Sequence, residues 1–163
     1  MAWAKLGTET AGSTVSTVTI TAWTPVKFNF GLVHQIASTQ ANILHRVGQT
    51  TVDTGSNYAH RYNQNGTGDG TQTNRGNFWN YYQGADYDKF VVIYGINIAS
   101  EEKLFITFGI QQNPAAGAAS APSRCEEVAK WANTSVQYDV IDMYDNGDTS
   151  TDAGSNISMI GTD

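Results

Sequence analysis

Only one cysteine occurs in this 163-residue chain, along with three prolines and few charges. A lone thiol, Cys125, excludes an intrachain disulfide and does not report a redox compartment. Nine basic residues stand against fifteen acidic ones, for a formal net charge of −6. Nucleic-acid affinity comes largely from neutralising phosphates, so this balance argues against a nucleic-acid partner. No apolar run approaches the roughly 20 residues of a membrane-spanning helix, so no membrane partner is expected. Met1 to Gly7 show neither a charged n-region leading into an apolar run nor a cleavage site. The expectation is synthesis in a cytoplasm without export by the general secretory route. Three Asn-x-Ser/Thr matches, at Asn65, Asn133 and Asn156, carry no weight without a signal peptide.

What the chain does have is Gly, Thr, Ser and Asn in abundance, with 40% hydrophobic residues and 11% aromatics. That composition suits strands joined by polar turns and is too aromatic for a disordered chain. The length fits one domain, residues 1–163, able to bury about two-thirds of its unfolded surface.

The clearest pattern runs from Asp88 to Gln112. Phe90, Val92, Tyr94, Ile96 and Ile98 fall on one face of a period-two ladder, and Leu104, Ile106, Phe108 and Ile110 on one face of a second. Between them lies the short polar stretch Ala99 to Lys103, so the pair reads as an antiparallel hairpin. These residues are expected to face the core. The opposite face, with Val91, Ile93, Gly95, Asn97, Thr107, Gly109 and Gln111, is expected to be partly covered, by a neighbouring subunit.

Further strands are expected over Trp3–Gly7, Val15–Trp23, Val26–Ile36, Asn42–Val47, Tyr58–Asn63, Thr71–Tyr82, Ser123–Trp131, Ser135–Tyr144 and Asn156–Ile160. Pro25 breaks the second from the third, because an X-Pro step fits poorly inside a central strand. In Val26–Ile36 the residues Val26, Phe28, Phe30, Leu32, His34 and Ile36 share one face. Loops are marked by Asp53–Asn57 and Asn65–Gly70, where Gly, Asn and Asp tolerate positive φ. The Ala/Gly-rich stretch from Asn113 to Pro122, bracketed by prolines, is a loop or extended arm. About ten short antiparallel strands with polar turns and no convincing helix predict an all-β sandwich of jelly-roll type.

No pattern points to catalysis, and no catalytic residue, metal ligand or cofactor site is assigned. His34, His45 and His60 stand in no HExxH arrangement and have no Cys or carboxylate at ligand spacing. Nothing around Cys125 marks a nucleophile. The acidic turn with Asp145, Asp148 and Asp152 lacks EF-hand spacing, so a solvated turn is expected in place of calcium. The glycines at 66, 68 and 70 lack the phosphate-loop pattern and its βαβ context. Glu101-Glu102 and Glu126-Glu127 read as turn and strand surface, and a hydrolase would need a carboxylate pair converging on a cleft. The aromatics Phe78, Trp79, Tyr81, Tyr82 and Tyr87 crowd into ten positions. They read as core plus ordinary surface, as a protein interface, or as a sugar-stacking platform. Together with Ala115, Gly117 and Pro122 of the arm, they are the candidate interface residues.

Several strings also occur together: Tyr58-Ala59-His60-Arg61-Tyr62, Asn65-Gly66, Asp69-Gly70-Thr71, Asn97-Ile98-Ala99 and Glu102-Lys103-Leu104. They are followed by Gln112, the loop from Ala115 to Pro122, Pro122-Ser123-Arg124 and Lys130-Trp131-Ala132-Asn133-Thr134-Ser135. From Tyr58 to the C-terminus the chain resembles small β-rich proteins encoded among the virion genes of tailed phages, marine ones in particular. The resemblance is most specific in the last two segments. The group's usual tryptophan is replaced here by His60 and its usual arginine by Cys125, which bears on local packing. The resemblance implies a virion structural role and carries over no catalytic residue. The expected function is a capsid decoration protein on the head surface, a homo-oligomer of trimeric form, binding a major capsid or tail protein. A tail or receptor-binding fibre module and a carbohydrate-binding module using Trp79, Tyr81 and Tyr82 are the alternatives.

Overall fold

The computed structural model describes residues 2–38, 42–81, 87–112, 118–145 and 151–163, and only the backbone of residues 79–81. Among them are thirteen strands and no helix. The first six are β1 (Ala4–Thr10), β2 (Thr17–Ile20), β3 (Phe28–Gln35), β4 (Ile43–Gln49), β5 (Thr51–Val52) and β6 (Tyr58–Gln64). Then come β7 (Asp69–Arg75), β8 (Phe78–Tyr81), β9 (Lys89–Ile96) and β10 (Lys103–Gln111). The last three are β11 (Ser123–Trp131), β12 (Val140–Tyr144) and β13 (Asn156–Thr162). Eight form one antiparallel sheet in the order β1-β13-β3-β9-β10-β11-β6-β7. The other five form a smaller sheet, β2-β12-β4-β5, with β8 also pairing with β4. The chain is an all-β sandwich.

The expected hairpin is present, with β9 and β10 paired in register from Ile96 opposite Leu104 to Lys89 opposite Gln111. Its turn is closed by Lys103, whose Nζ donates to the carbonyls of Ala99, Glu101 and Asn133 at 2.6–3.1 Å. The expected strand Thr71–Tyr82 is divided. Asn74, at φ +54°, sits in a bulge of β7, whose pairing with β6 ends at Arg75 opposite Tyr58; the chain then leaves the large sheet through Gly76 and Asn77, and β8 joins the smaller one beside β4. Asn tolerates the left-handed conformation that the bulge requires.

The hairpin's face assignment is reversed relative to the sequence reading. Val91, Ile93 and Phe105 are buried, whereas Phe90, Tyr94, Leu104, Ile106, Phe108 and Ile110 stand exposed. In β3 it is likewise Asn29, Gly31, Val33 and Gln35 that turn inward. The reason lies in what the smaller sheet and its connections bring to the interior. Trp23, Ile43, Val47, Phe78, Tyr138, Ile141 and Met143 are all buried there. Large side chains from one layer require small ones opposite if the interior is to close at normal packing density. Gly95 meets that need, since a Cβ there would lie 2.5 Å from the Tyr138 hydroxyl oxygen. Gly31 makes room within its own sheet, where a Cβ would fall 2.6 Å from Sδ of Met159 on the neighbouring β13.

Phe105 lies at the centre of this core, stacked on Phe78 at 4.5 Å between ring centroids and tilted against Tyr138 at 5.7 Å. Trp23 meets Tyr138 edge-on. Polar groups inside the sandwich tie its layers together. The Asn97 side chain donates to the Tyr138 carbonyl (3.0 Å) and accepts the Tyr138 N–H (2.9 Å), pinning the chain ahead of β12 to the large sheet. The Tyr58 hydroxyl accepts the Val47 N–H (3.1 Å) and lies 2.7 Å from the Val47 carbonyl. Asp142, buried in β12, takes the Arg46 guanidinium side-on, while that cation stacks on Tyr144 at 3.7 Å.

Candidate functional site

The outward face of the large sheet is built from aligned cross-strand rows. One row runs Ile160, Phe30, Tyr94, Ile106, Val128 across β13, β3, β9, β10 and β11. The next reads Ser158, Leu32, Val92, Phe108, Glu126. On the other side of the first lies Thr162, Phe28, Ile96, Leu104, Lys130. The outermost row reads Asn156, His34, Phe90, Ile110, Arg124. Directly opposed side chains sit about 4.5–5.5 Å apart at Cβ, so each row is a continuous contact surface.

Within β3, β9 and β10, eleven of the twelve outward residues are apolar, the exception being His34. Of the thirteen inward residues on the same strands, only Val33, Val91, Ile93 and Phe105 carry apolar side chains. The side turned to solvent is therefore more hydrophobic than the side turned to the core. Ten large side chains on this face each expose 38–55% of their surface. At roughly 200 Å² for a fully exposed large side chain this amounts to on the order of 900 Å² of apolar surface. The largest apolar patch on a typical monomer is about 300–600 Å².

The face is not flat. At its Leu104 end a trough of about 790 Å³ is lined by Trp3, Phe28, Tyr94, Leu104, Ile106 and Val128, with Arg61 and Thr71 at the β6–β7 side. A smaller hollow of about 270 Å³ at the opposite end involves His34, Phe90, Ile110 and Pro122. Charge stands at the flanks: Lys5 on β1 and Arg61 on β6 end the central row, and on β11 the charges are largely self-compensated. Arg124 bonds Glu126 at 3.0 Å, and Lys130 bonds Glu102 at 2.9 Å. Beneath the face, His60 and Glu127 are buried 3.6 Å apart, and burial pushes the His60 imidazole below its usual range. Burial likewise pushes Lys89 down to about 8, with Asp145 and Asp88 opposing it.

Tyr94 hydroxyl and His34 imidazole are the polar side-chain groups that the three central strands present outward. Such a surface offers shape, dispersion and desolvation for a partner that is itself apolar.

The residues expected to form an interface fall elsewhere. Phe78 is a core residue, fully buried against Phe105, which corrects its place among the interface candidates. Its alternation puts it inward once β8 joins the smaller sheet. Tyr87 is half-buried, and its carbonyl accepts from Lys89 Nζ at 3.2 Å. Pro122 is exposed beside the smaller hollow. The side chains of Trp79 and Tyr81, and all of Tyr82, Ala115 and Gly117, lie outside the described residues. The described ends of those two segments do meet. Gln112 N–H donates to the Asp88 carbonyl at 3.1 Å, and Gln111 lies opposite both Lys89 and Ser123.

Of the histidines, His34 is exposed on the apolar face, while His45 and His60 are buried. His45 Nδ1 lies 3.1 Å from the Asp142 carbonyl, and burial pushes its imidazole down to about 4. Cys125 is buried, and its thiol is pushed up to about 12, which leaves it protonated and a poor nucleophile at neutral pH. In the acidic turn, the Asp145 carboxylate accepts the Asn42 N–H and that of Asp152 accepts the Thr14 hydroxyl, while Asp148 lies outside the described residues. Among the described residues no cluster of three or more His, Cys, Asp or Glu side chains could hold a metal ion.

The residues of the apolar face were visible in the sequence as one side of each ladder. The composition of the other side gave no signal that could have placed them outside, because lysines and glutamines framing small residues read as the solvent side.

Fold and face together define a class: a two-sheet β-sandwich with one broad apolar sheet surface left open. No family model matches the chain, and no curated protein matches it. Among solved structures, a match is found to the CBM2 module of the evolved Dit of Lactobacillus casei BL23 phage J-1. Identity is 10%, over 95% of this chain and 76% of that one, with a TM-score of 0.26. A TM-score this low does not equate the two folds.

Proposed function

We propose that this chain is a structural subunit of a phage virion, a decoration protein of the head surface, which works by burying its outer sheet face against protein. One observation carries the reading. The three central strands of the large sheet present a side to solvent that is more apolar than the side they present to the core. Surfaces of that composition resemble a domain core cut in half, the mark of permanent protein assemblies. A glycan platform would need polar groups spaced between its aromatic rings, whereas the rows here, where they cross β3, β9 and β10, are aliphatic and aromatic with His34 as the exception. The resemblance over the C-terminal two-thirds supports a virion as the assembly, and the acidic composition suits a protein that must not adhere to packaged DNA.

The test is made on purified particles of the phage that carries the coding sequence. The chain should be present at a fixed, stoichiometric copy number, with density on the head in cryo-electron microscopy. Density confined to the tail would replace the head assignment by a tail module. Absence from particles, together with binding of host polysaccharide by the purified chain, would refute the proposal.

A further inference from the structure

The apolar face has a symmetry that a heterologous partner would not require. Its rows are centred on β9. On either side come β3 and β10, both apolar, and beyond them β13 and β11, which are mixed. We infer that the face is covered by a second copy of this chain, stacked sheet on sheet about a two-fold axis running along β9. This rests on the reading that the face is buried against protein and names the partner.

Such an axis keeps each row opposite itself and reverses its direction. In the central row Tyr94 then meets Tyr94 of the second copy, Ile106 meets Phe30, and Val128 meets Ile160. In the neighbouring rows Phe108 meets Leu32 and Leu104 meets Phe28, while Val92 and Ile96 each meet their own counterparts. Toward the edges, Arg124, Glu126 and Lys130 of β11 fall opposite Asn156, Ser158 and Thr162 of β13, so a charge meets a neutral hydrogen-bonding group, and only at the outer rim does the central row bring two exposed cations, Lys5 of β1 and Arg61 of β6, to face each other. Apolar centre and polar rim are the anatomy of a stable interface. The twist of each sheet turns the two sets of strands by about 30°, so the axis is inclined to β9 by about half that angle and the pairing of rows is closest around Tyr94, with the layers about 10 Å apart.

Size agrees with this arrangement. On the order of 900 Å² of large apolar side chains is open per copy, and a standard interface takes about 800 Å² from each partner. Two-fold pairs are the commonest closed assembly of a single chain. A surface as apolar as a core must also be covered as soon as it folds, and another copy is the partner present at matched concentration. The pairing replaces the trimer anticipated from the sequence.

The mass of the intact purified chain in solution, between about 0.1 and 10 μM, is the first measurement; nM–μM dissociation constants are usual for interfaces of this size. The expected species has twice the 17.6 kDa of one chain. Tyr94→Lys, at a half-exposed position on the axis, should weaken pairing at least ~30-fold, as loss of an interface anchor does, and leave the circular dichroism spectrum unchanged. Mixing Tyr94→Lys with Tyr94→Glu should restore the two-copy species, because a two-fold axis passing at Tyr94 brings position 94 of both copies together. If Tyr94→Lys does not fold, Ile106→Thr, which keeps strand propensity, is measured in the same way and is expected to weaken pairing.

A trimer, a pair that survives these substitutions, or failure of the opposite charges to rescue would overturn the inference. A wild-type chain that stays monomeric at 10 μM yet is found on particles would overturn the second copy as partner and leave the virion role standing. A monomer absent from particles would overturn both.

Discussion

Phe105 and Phe108 are three positions apart on β10 and chemically identical, yet they face opposite sides of the large sheet, so replacing each by alanine separates core from surface. Phe105 is 2% exposed, sandwiched between Phe78 and Tyr138, and lies close to the Gly95 backbone. Phe105→Ala removes a ring from a site whose neighbours are fixed by Gly95 on one side and the smaller sheet on the other, so collapse into the space is limited. The expected cost is about 3–5 kcal/mol, from lost transfer free energy plus the cavity left behind. Phe108 is 49% exposed and has its cross-strand neighbours Val92 and Glu126 for contact. Phe108→Ala leaves no enclosed cavity, and the folding cost to the isolated chain should stay under about 1 kcal/mol. Its effect should appear as weaker self-association. The assay is urea unfolding followed by circular dichroism, run in the Tyr94→Lys background so that pairing does not contribute, with the two variants compared at equal denaturant slope. Equal losses at the two positions, or a larger loss at Phe108, would refute the assignment of the faces.

Acid should destabilise the fold through His45. Burial lowers its folded pKa from 6.5 to about 4, so the unfolded chain binds more protons between those values. The His45 contribution is fully present above pH 6.5 and drains as the pH falls toward 4, by about 3 kcal/mol. His60 is shifted in the same direction and adds to it. Urea midpoints from pH 7.5 to 4 should show a shallower decline in His45→Gln than in wild type, and identical slopes would refute the assignment. Asn97→Ala strands the Tyr138 N–H and carbonyl in the interior, at a cost of about 2–3 kcal/mol in thermal or urea unfolding; an unaffected midpoint would show that the amide clamp contributes nothing. Gly95→Ala drives a methyl toward the Tyr138 hydroxyl and should cost about 1–3 kcal/mol by overpacking, whereas a stabilised variant would mean that the two sheets have room to separate there.

The sequence alone determined that the chain is all-β, where most strands lie, and which residues share a side. Period-two alternation across Phe90–Ile98 and Leu104–Ile110, with Ala99–Lys103 between, fixed the hairpin because a pleated strand projects successive side chains to opposite faces. Alternation does not say which of those faces meets the second sheet. That was decided in three dimensions, where the bulk of Trp23, Phe78, Tyr138 and Met143 filled the interior together with Phe105 and left room on β3 and β9 for glycine and modest side chains. Lys89 and Lys103 could turn inward because they stand at strand ends, where their ammonium groups reach loop carbonyls. Phe78 was an interface candidate among its aromatic neighbours until the break after Arg75 carried β8 to the other sheet. The apolar face was thus written in the chain residue by residue. Its exposure follows from the volume of side chains that arrive from distant strands, a quantity no local pattern contains.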